Sequence, residues 1–355
     1  MRSGSKVDML IAKKLDKSKI FTVVSGMVNP PLQQSYKSSQ FVSVKTTGYA
    51  GFVGYNEANH SLDWFQMSGK EVQLRQITKL ELEGSEKIEV VRAFYVHTPD
   101  SIFIKSRNFV YIVNQKGSAF YKVNTATEAN NSISGINLDQ YQPTANQKEG
   151  RGMYFKSGKL YMPLNYYVVK EWIDPAGFAS DVVLLSAFDV ENKQFKQLPI
   201  FYPEIFRSNL YGFLSKMTVN YGGDNIYYSF VGFPELYIYN IVTEKNRMLQ
   251  SMSFGMPDII KGEELGDHLN QNIRFDYSFS SEDGSFVAQY VFYPFDPANP
   301  KSPDLRVINV NAGEETLIEL PKRTNVYGAL IDGNELYLPR VSETEDLLEL
   351  YKLAL

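Results

Sequence analysis

Four cations recur at a matching place along this 355-residue chain: Arg92, Arg151, Lys216 and Arg274. Each stands a few residues ahead of a tight turn rich in Gly, Asp or Ser, with Gln40 and Asn325 at the same level in two further stretches. A guanidinium is a planar fork that takes a carboxylate or phosphate through paired hydrogen bonds. Cations gathered on the rim of a cleft focus their field, and so attract a carboxylate, a phosphate or an acidic sugar. The competing expectation is that each is neutralised locally, by carboxylates such as Glu89, Glu204 or Asp276.

A second group is aromatic. Tyr166, Trp172, Tyr202 and Tyr293, with Tyr167, Phe178, Phe206 and Phe295 beside them, fall in long connections at 125–149, 165–181, 201–215, 252–272 and 292–304. Connections this long carry function more often than short ones do. An exposed ring offers a flat apolar face to a sugar or peptide, whereas a buried one pins its loop to the body of the protein. Tyr202-Pro203-Glu204, with Arg207 close behind, is the segment most loaded with chemistry, although a Glu–Arg pair there reads more readily as structural than catalytic.

Other chemistry is not signalled. The chain has no G-x-S-x-G elbow, P-loop, H-E-x-x-H pair or calcium-loop pattern. Its three histidines, His60, His97 and His268, lie far apart in sequence, so neither a metal site nor a cofactor is expected. The absence of cysteine excludes disulfides and thiol nucleophiles. A net charge of −4 gives no excess of Lys and Arg to neutralise phosphates, so a nucleic-acid partner is not expected. No apolar run is long enough to span a membrane. The carboxylate pair of a glycoside hydrolase is defined by a separation in space that sequence does not supply.

The elements that must position these residues are strands. With 24 tyrosines and 23 phenylalanines, and turns punctuated by Gly and Pro, the composition favours an all-β fold. A strand–turn–strand unit recurs six times, with turns at 46–48, 97–100, 156–159, 221–225, 281–284 and 332–334. Third and fourth strands follow each pair, except that the sixth copy ends with the chain after three. The copies recur roughly every 50 to 66 residues, the period of propeller blades. The expected fold is a six-bladed β-propeller of four-stranded antiparallel blades, its last blade closed by a strand near residues 19–24. A pair of β-sandwiches is the rival architecture. Residues 1–18 are read as an N-terminal tail or cloning remnant, and 19–355 as one propeller domain.

With the blades placed, the chain resembles the TolB-like six-bladed propellers. It is most similar to a Bacteroidetes lipoprotein family known by a domain-of-unknown-function label. Gly152-Met-Tyr-Phe-Lys-Ser-Gly-Lys-Leu-Tyr-Met-Pro163, Phe201-Tyr-Pro-Glu204 and the Tyr/Phe-rich strands carry this resemblance, which spans residues 21–355. It implies a lipid-anchored protein of the periplasm or outer envelope, and it brings no catalytic residues to carry over. The lipid-bearing cysteine of such proteins has no counterpart in this sequence. The expected function is non-enzymatic binding of a protein or glycan by the long-loop face. The alternative is a glycan hydrolase or lyase at the channel mouth.

Overall fold

A computed structural model of the chain describes residues 6–14, 21–27, 39–42, 51–85, 87–132, 141–143, 152–166, 184–259, 268, 270–326, 328–341 and 347–355. The fold is all-β, built from small antiparallel sheets of the meander type that make propeller blades. The described strands form five sheets rather than six. Four of these hold one expected repeat each, the second to the fifth. The first and sixth repeats are joined in one eight-stranded sheet, ordered Leu330–Asp332, Glu335–Arg340, Leu347–Ala354, Thr22–Met27, Glu71–Lys79, Ser61–Ser68, Gly51–Asn56 and Ser39–Val42. Thr22–Met27 is antiparallel to Leu347–Ala354 and makes a short parallel contact with Glu71–Lys79.

The chain divides into two compact units. The first comprises Met1–Asp16, Leu164–Ser186 and Gln197–Leu320; the second comprises Lys17–Pro163, Ala187–Lys196 and Pro321–Leu355. In the first unit, repeat four runs Met217–Gly222, Asn225–Phe230, Leu236–Asn240, Lys245–Gln250. Repeat five runs Arg274–Ser280, Phe286–Phe292, Asp304–Asn309, Glu314–Glu319.

Each of these two sheets gains a fifth, parallel strand from the N-terminal stretch. Lys6–Met9 lies along Lys245–Gln250, and Ile11–Lys14 lies along Glu314–Glu319. Leu10, between the two strands, donates its N–H to the Gln250 carbonyl at 2.9 Å and is 2% exposed. It enters one apolar cluster with Tyr227, Leu236, Ile238, Leu249, Val287, Ile308 and Val310, drawn from both sheets. Burying one leucine side chain contributes about 2 kcal/mol, which makes Leu10 a fastener between repeats four and five.

The same two repeats also meet at their turns, where backbone approaches backbone. Gly223 N–H donates to the Glu282 carbonyl at 2.8 Å, and Tyr227 Oη donates to the Gly284 carbonyl at 2.6 Å. A Cβ on Gly284, whose φ is +77°, would lie 2.5 Å from Tyr227 Oη and 2.6 Å from the Gly222 carbonyl oxygen. Only glycine fits there.

Between the sheets lies a buried ion network. Arg306, fully buried, donates from Nε to Glu315 Oε2 at 2.8 Å, with Nη2 in ion-pair contact with the same oxygen at 2.7 Å, and donates from Nη1 to the Pro234 carbonyl and Gln289 Oε1. Burial alone would push the Glu315 carboxyl up. Arg306 and the hydroxyls of Ser251 and Ser253 outweigh it and hold the group below its ordinary range. Beside this network Glu235 is buried, and burial raises its carboxyl.

In the second unit, Trp64 Nε1 donates to Thr78 Oγ1 at 2.9 Å within a core of Val53, Leu62, Ile88, Phe94, Ile102 and Tyr111. The connection beginning at residue 125 is not wholly irregular, as the turn-based reading expects. It opens with an α-helix, Thr125–Ser132, and includes a short strand, Tyr141–Pro143, paired into the third-repeat sheet. The helix follows strand Ala119–Asn124 directly, and Asn124 caps its start, Oδ1 accepting the Thr127 N–H at 3.2 Å.

Candidate functional site

In the first unit the connections 201–216, 251–273 and 293–303 meet the ends of the inner strands of repeats four and five. Their rings divide into two kinds. Tyr202 is half-buried against Phe206 at 5.8 Å and Phe230 at 5.7 Å. Phe206 is itself fully buried, with Phe230, Phe233 and Tyr211 within 5.7 Å. These rings fasten the connection to repeat four. Glu204 is exposed just ahead of the short helix Ile205–Ser208.

Two of the four cations stand at the starts of inner strands linked through Val231. Lys216 immediately precedes Met217–Gly222, and Arg274 opens Arg274–Ser280. Val231 stands between their backbones: its N–H donates to the Lys216 carbonyl at 2.9 Å, and its carbonyl accepts the Phe275 N–H at 2.6 Å. The Arg274 guanidinium lies 5.2 Å from the centre of the Phe292 ring, its cross-strand partner. Its Nε is buried and finds no hydrogen-bond partner among the described residues.

Close to Arg274 the inner strand slips register between Asp276 and Phe279. Within this bulge Tyr277 adopts a φ of 48°, a left-handed conformation that is costly for a bulky residue. Asp276 Oδ1 accepts the Tyr277 N–H at 2.8 Å, and the Tyr277 ring meets Phe292 edge-on, centroids 6.0 Å apart. The next residue along, Tyr293, bonds the Asp304 carboxylate, with Lys301 Nζ 3.3 Å over its ring and 3.6 Å from Asp304. Burial, and then the Asp304 hydrogen bond and charge, hold the Tyr293 hydroxyl far above its ordinary range, so it stays protonated.

In the second unit Arg92 is exposed just before Ala93–Thr98, and its N–H donates to the Lys105 carbonyl at 2.8 Å. Arg151 and Trp172 lie outside the described residues. Tyr166 ends strand Lys159–Tyr166. Sequence reading overlooked Lys105 itself. It is 1% exposed, its Nζ donates to Thr125 Oγ1 at 3.0 Å and to the Arg107 carbonyl, and burial pulls its ammonium down to about 7. Its neighbours in sequence, apolar on one side and polar on the other, gave no sign of that burial.

Four apolar residues on the long connections of the first unit face water instead: Met252, Met256, Ile259 and Phe295, from 42% to 71% exposed. The segments that carry them are held from beneath. Ser251 and Ser253 bond Glu315, Phe254 packs edge-on against Phe275 at 5.0 Å, and Asp258 N–H bonds Asn272 Oδ1 at 3.0 Å. Phe295 N–H bonds the Asn270 carbonyl at 2.7 Å, tying the two connections together. Of the four, only Phe295 stood out in the sequence. The methionines were legible only as Met252 and Met256 either side of a Gly-containing loop. Among the described residues no group of three or more His, Asp or Glu is placed to hold a metal.

The family profile of a domain of unknown function, DUF4221, matches residues 55–295. The chain belongs to this family. A DUF4221 member from Bacteroides vulgatus is similar in structure, with a TM-score of 0.71 at 14% identity over 94% of this chain and 97% of that one. A Bacteroides fragilis protein provisionally described as exported gives a TM-score of 0.61 at 11% identity, over 99% of each chain. At such identities the likeness shows the fold alone. Comparison with curated proteins gives no match.

Proposed function

We propose that this DUF4221 protein is a non-enzymatic binding protein of the bacterial envelope. It recognises a glycan or a protein through the loop-bearing end of its first unit. The observation that carries the reading is the set Met252, Met256, Ile259 and Phe295. These large apolar side chains are held out to water on connections that are themselves bonded down. Exposed apolar groups on braced loops favour recognition, because little ordering entropy opposes binding. Methionine and phenylalanine supply adaptable and rigid contact respectively.

The eight-stranded sheet is read as two blades, which makes six in all, with Thr22–Met27 completing the last in the TolB-like manner. The description of the Bacteroides fragilis protein as exported supports a location outside the cytoplasm; a lipid anchor on the native chain is part of the proposal only. Titration against a panel of glycans and envelope proteins tests the reading. The wild type is expected to bind a panel member, and a Met256→Ser/Phe295→Ser variant to bind it at least about tenfold more weakly. Equal binding by both proteins would reject this end of the molecule as the site. Release of reducing or unsaturated sugar ends in the same samples would replace binding by the alternative, a glycan hydrolase or lyase.

A further inference from the structure

Arg274 is set up differently from Arg306 and Lys301, two other cations of the first unit. Arg306 is enclosed and neutralised by Glu315, and Lys301 is engaged by Tyr293 and Asp304. Arg274 has the Phe292 ring beneath its guanidinium and, among the described residues, neither a partner for its buried Nε nor an ion pair. Stacking on a ring fixes the plane of the fork without consuming its donors.

Two carboxylates of this sheet have partners of their own. Asp276 accepts the Tyr277 N–H, and Asp304 is held by Tyr293 and Lys301. The bulge then brings a second ring, Tyr277, against Phe292 itself, half-exposed and inclined 67° to it. A left-handed tyrosine in an innermost strand persists only where its surroundings impose it.

We propose that Arg274, Tyr277 and Phe292 form a subsite for a sugar ring bearing a carboxylate, as in a uronic acid. The proposal rests on the glycan form of the binding function above. Arg274 takes the carboxylate through its fork, Phe292 holds the guanidinium in plane, and Tyr277 gives the apolar face of the sugar a ring to lie against. Lys216, on the far side of Val231, adds positive potential at the same strand ends.

Calorimetric titration of the full chain with oligogalacturonate, its methyl ester and oligogalacturonate of the same length at high salt tests this. Binding of the acid is expected, weakened at least about tenfold by esterification, and weakened also by salt. Arg274→Ala is expected to lose the acid preference, while Arg274→Lys, which keeps the charge but not the fork, recovers only part of it. Tyr277→Asn, suited to the left-handed backbone but lacking the ring, is expected to weaken acid and ester alike. Thermal melts of each variant separate loss of the subsite from loss of the fold.

Equal affinity for acid and ester, or unchanged preference in a folded Arg274→Ala protein, would overturn the subsite. If Met256→Ser/Phe295→Ser still abolishes binding in that case, the binding face stands without it. Failure of every acidic oligosaccharide to bind overturns it as well.

Discussion

Lys105 shows how far a single residue can depart from its sequence context. Its ammonium is buried with, among the described residues, a hydroxyl and a carbonyl for partners, and burial brings its proton affinity down from 10.5 to about 7. In the unfolded chain the same amine keeps its proton until about 10.4. Between those values unfolding takes up a proton, so stability rises with pH through this window. Below about 7 both states are protonated and that stabilisation is lost. Urea denaturation from pH 7 to 10 is therefore expected to show a rising component that Lys105→Met removes; an identical pH profile in the variant would contradict it.

The same scale marks what the sequence withholds at the candidate site. Lys216 and Arg274 were legible because a strand start follows from the turn after it. The inward course of Tyr202 and Phe206, and the left-handed Tyr277, were not. A ring's direction depends on neighbours supplied by other segments, such as Phe230 and Phe233, and local preferences disfavour the bulge.

Among elements, the turns carry the most local information. Ser281-Glu282-Asp283-Gly284 is a turn because Asp283 bonds the Ser281 and Ser285 hydroxyls and the Ser285 N–H, while Gly284 supplies a positive φ. All of that lies within five residues and can be read directly. The close approach of this turn to Gly222 cannot be. Gly284→Ala is expected to destabilise the protein by about 1–3 kcal/mol beyond the backbone cost, through overlap with Gly222 and Tyr227. Gly313→Ala, at a φ of +66° with open space around it, should show the backbone cost alone. Equal effects in chemical denaturation would remove the turn-to-turn contact from the account.

The N-terminal strands were also illegible. Their parallel pairing is defined by Lys245–Gln250 and Glu314–Glu319, far along the chain, and four residues show too little alternation to announce a strand. Leu10→Ala is expected to cost about 2–4 kcal/mol in the same measurement. A change near zero would mean that the edge strands add nothing to the union of repeats four and five.

For the molecule as a whole, repetition made the class of fold legible, since six strand–turn–strand units with aromatic strands have few other solutions. The joining of the first and sixth repeats into one sheet depends on Thr22–Met27 lying between Leu347–Ala354 and Glu71–Lys79, a pairing between the two ends of a long stretch of chain. Function follows a similar division. Long connections were visible as departures from the repeat, but which of their side chains turn to water was decided by bonds such as Ser253 to Glu315 and Phe295 to Asn270. The central claim is that these braced connections of the first unit form the binding surface. Hydrogen–deuterium exchange with and without a glycan or protein that binds tests it most directly. Protection is predicted in the segments 251–259 and 293–300 and at the start of Arg274–Ser280. Protection confined to the second unit, with these segments unchanged, would contradict it.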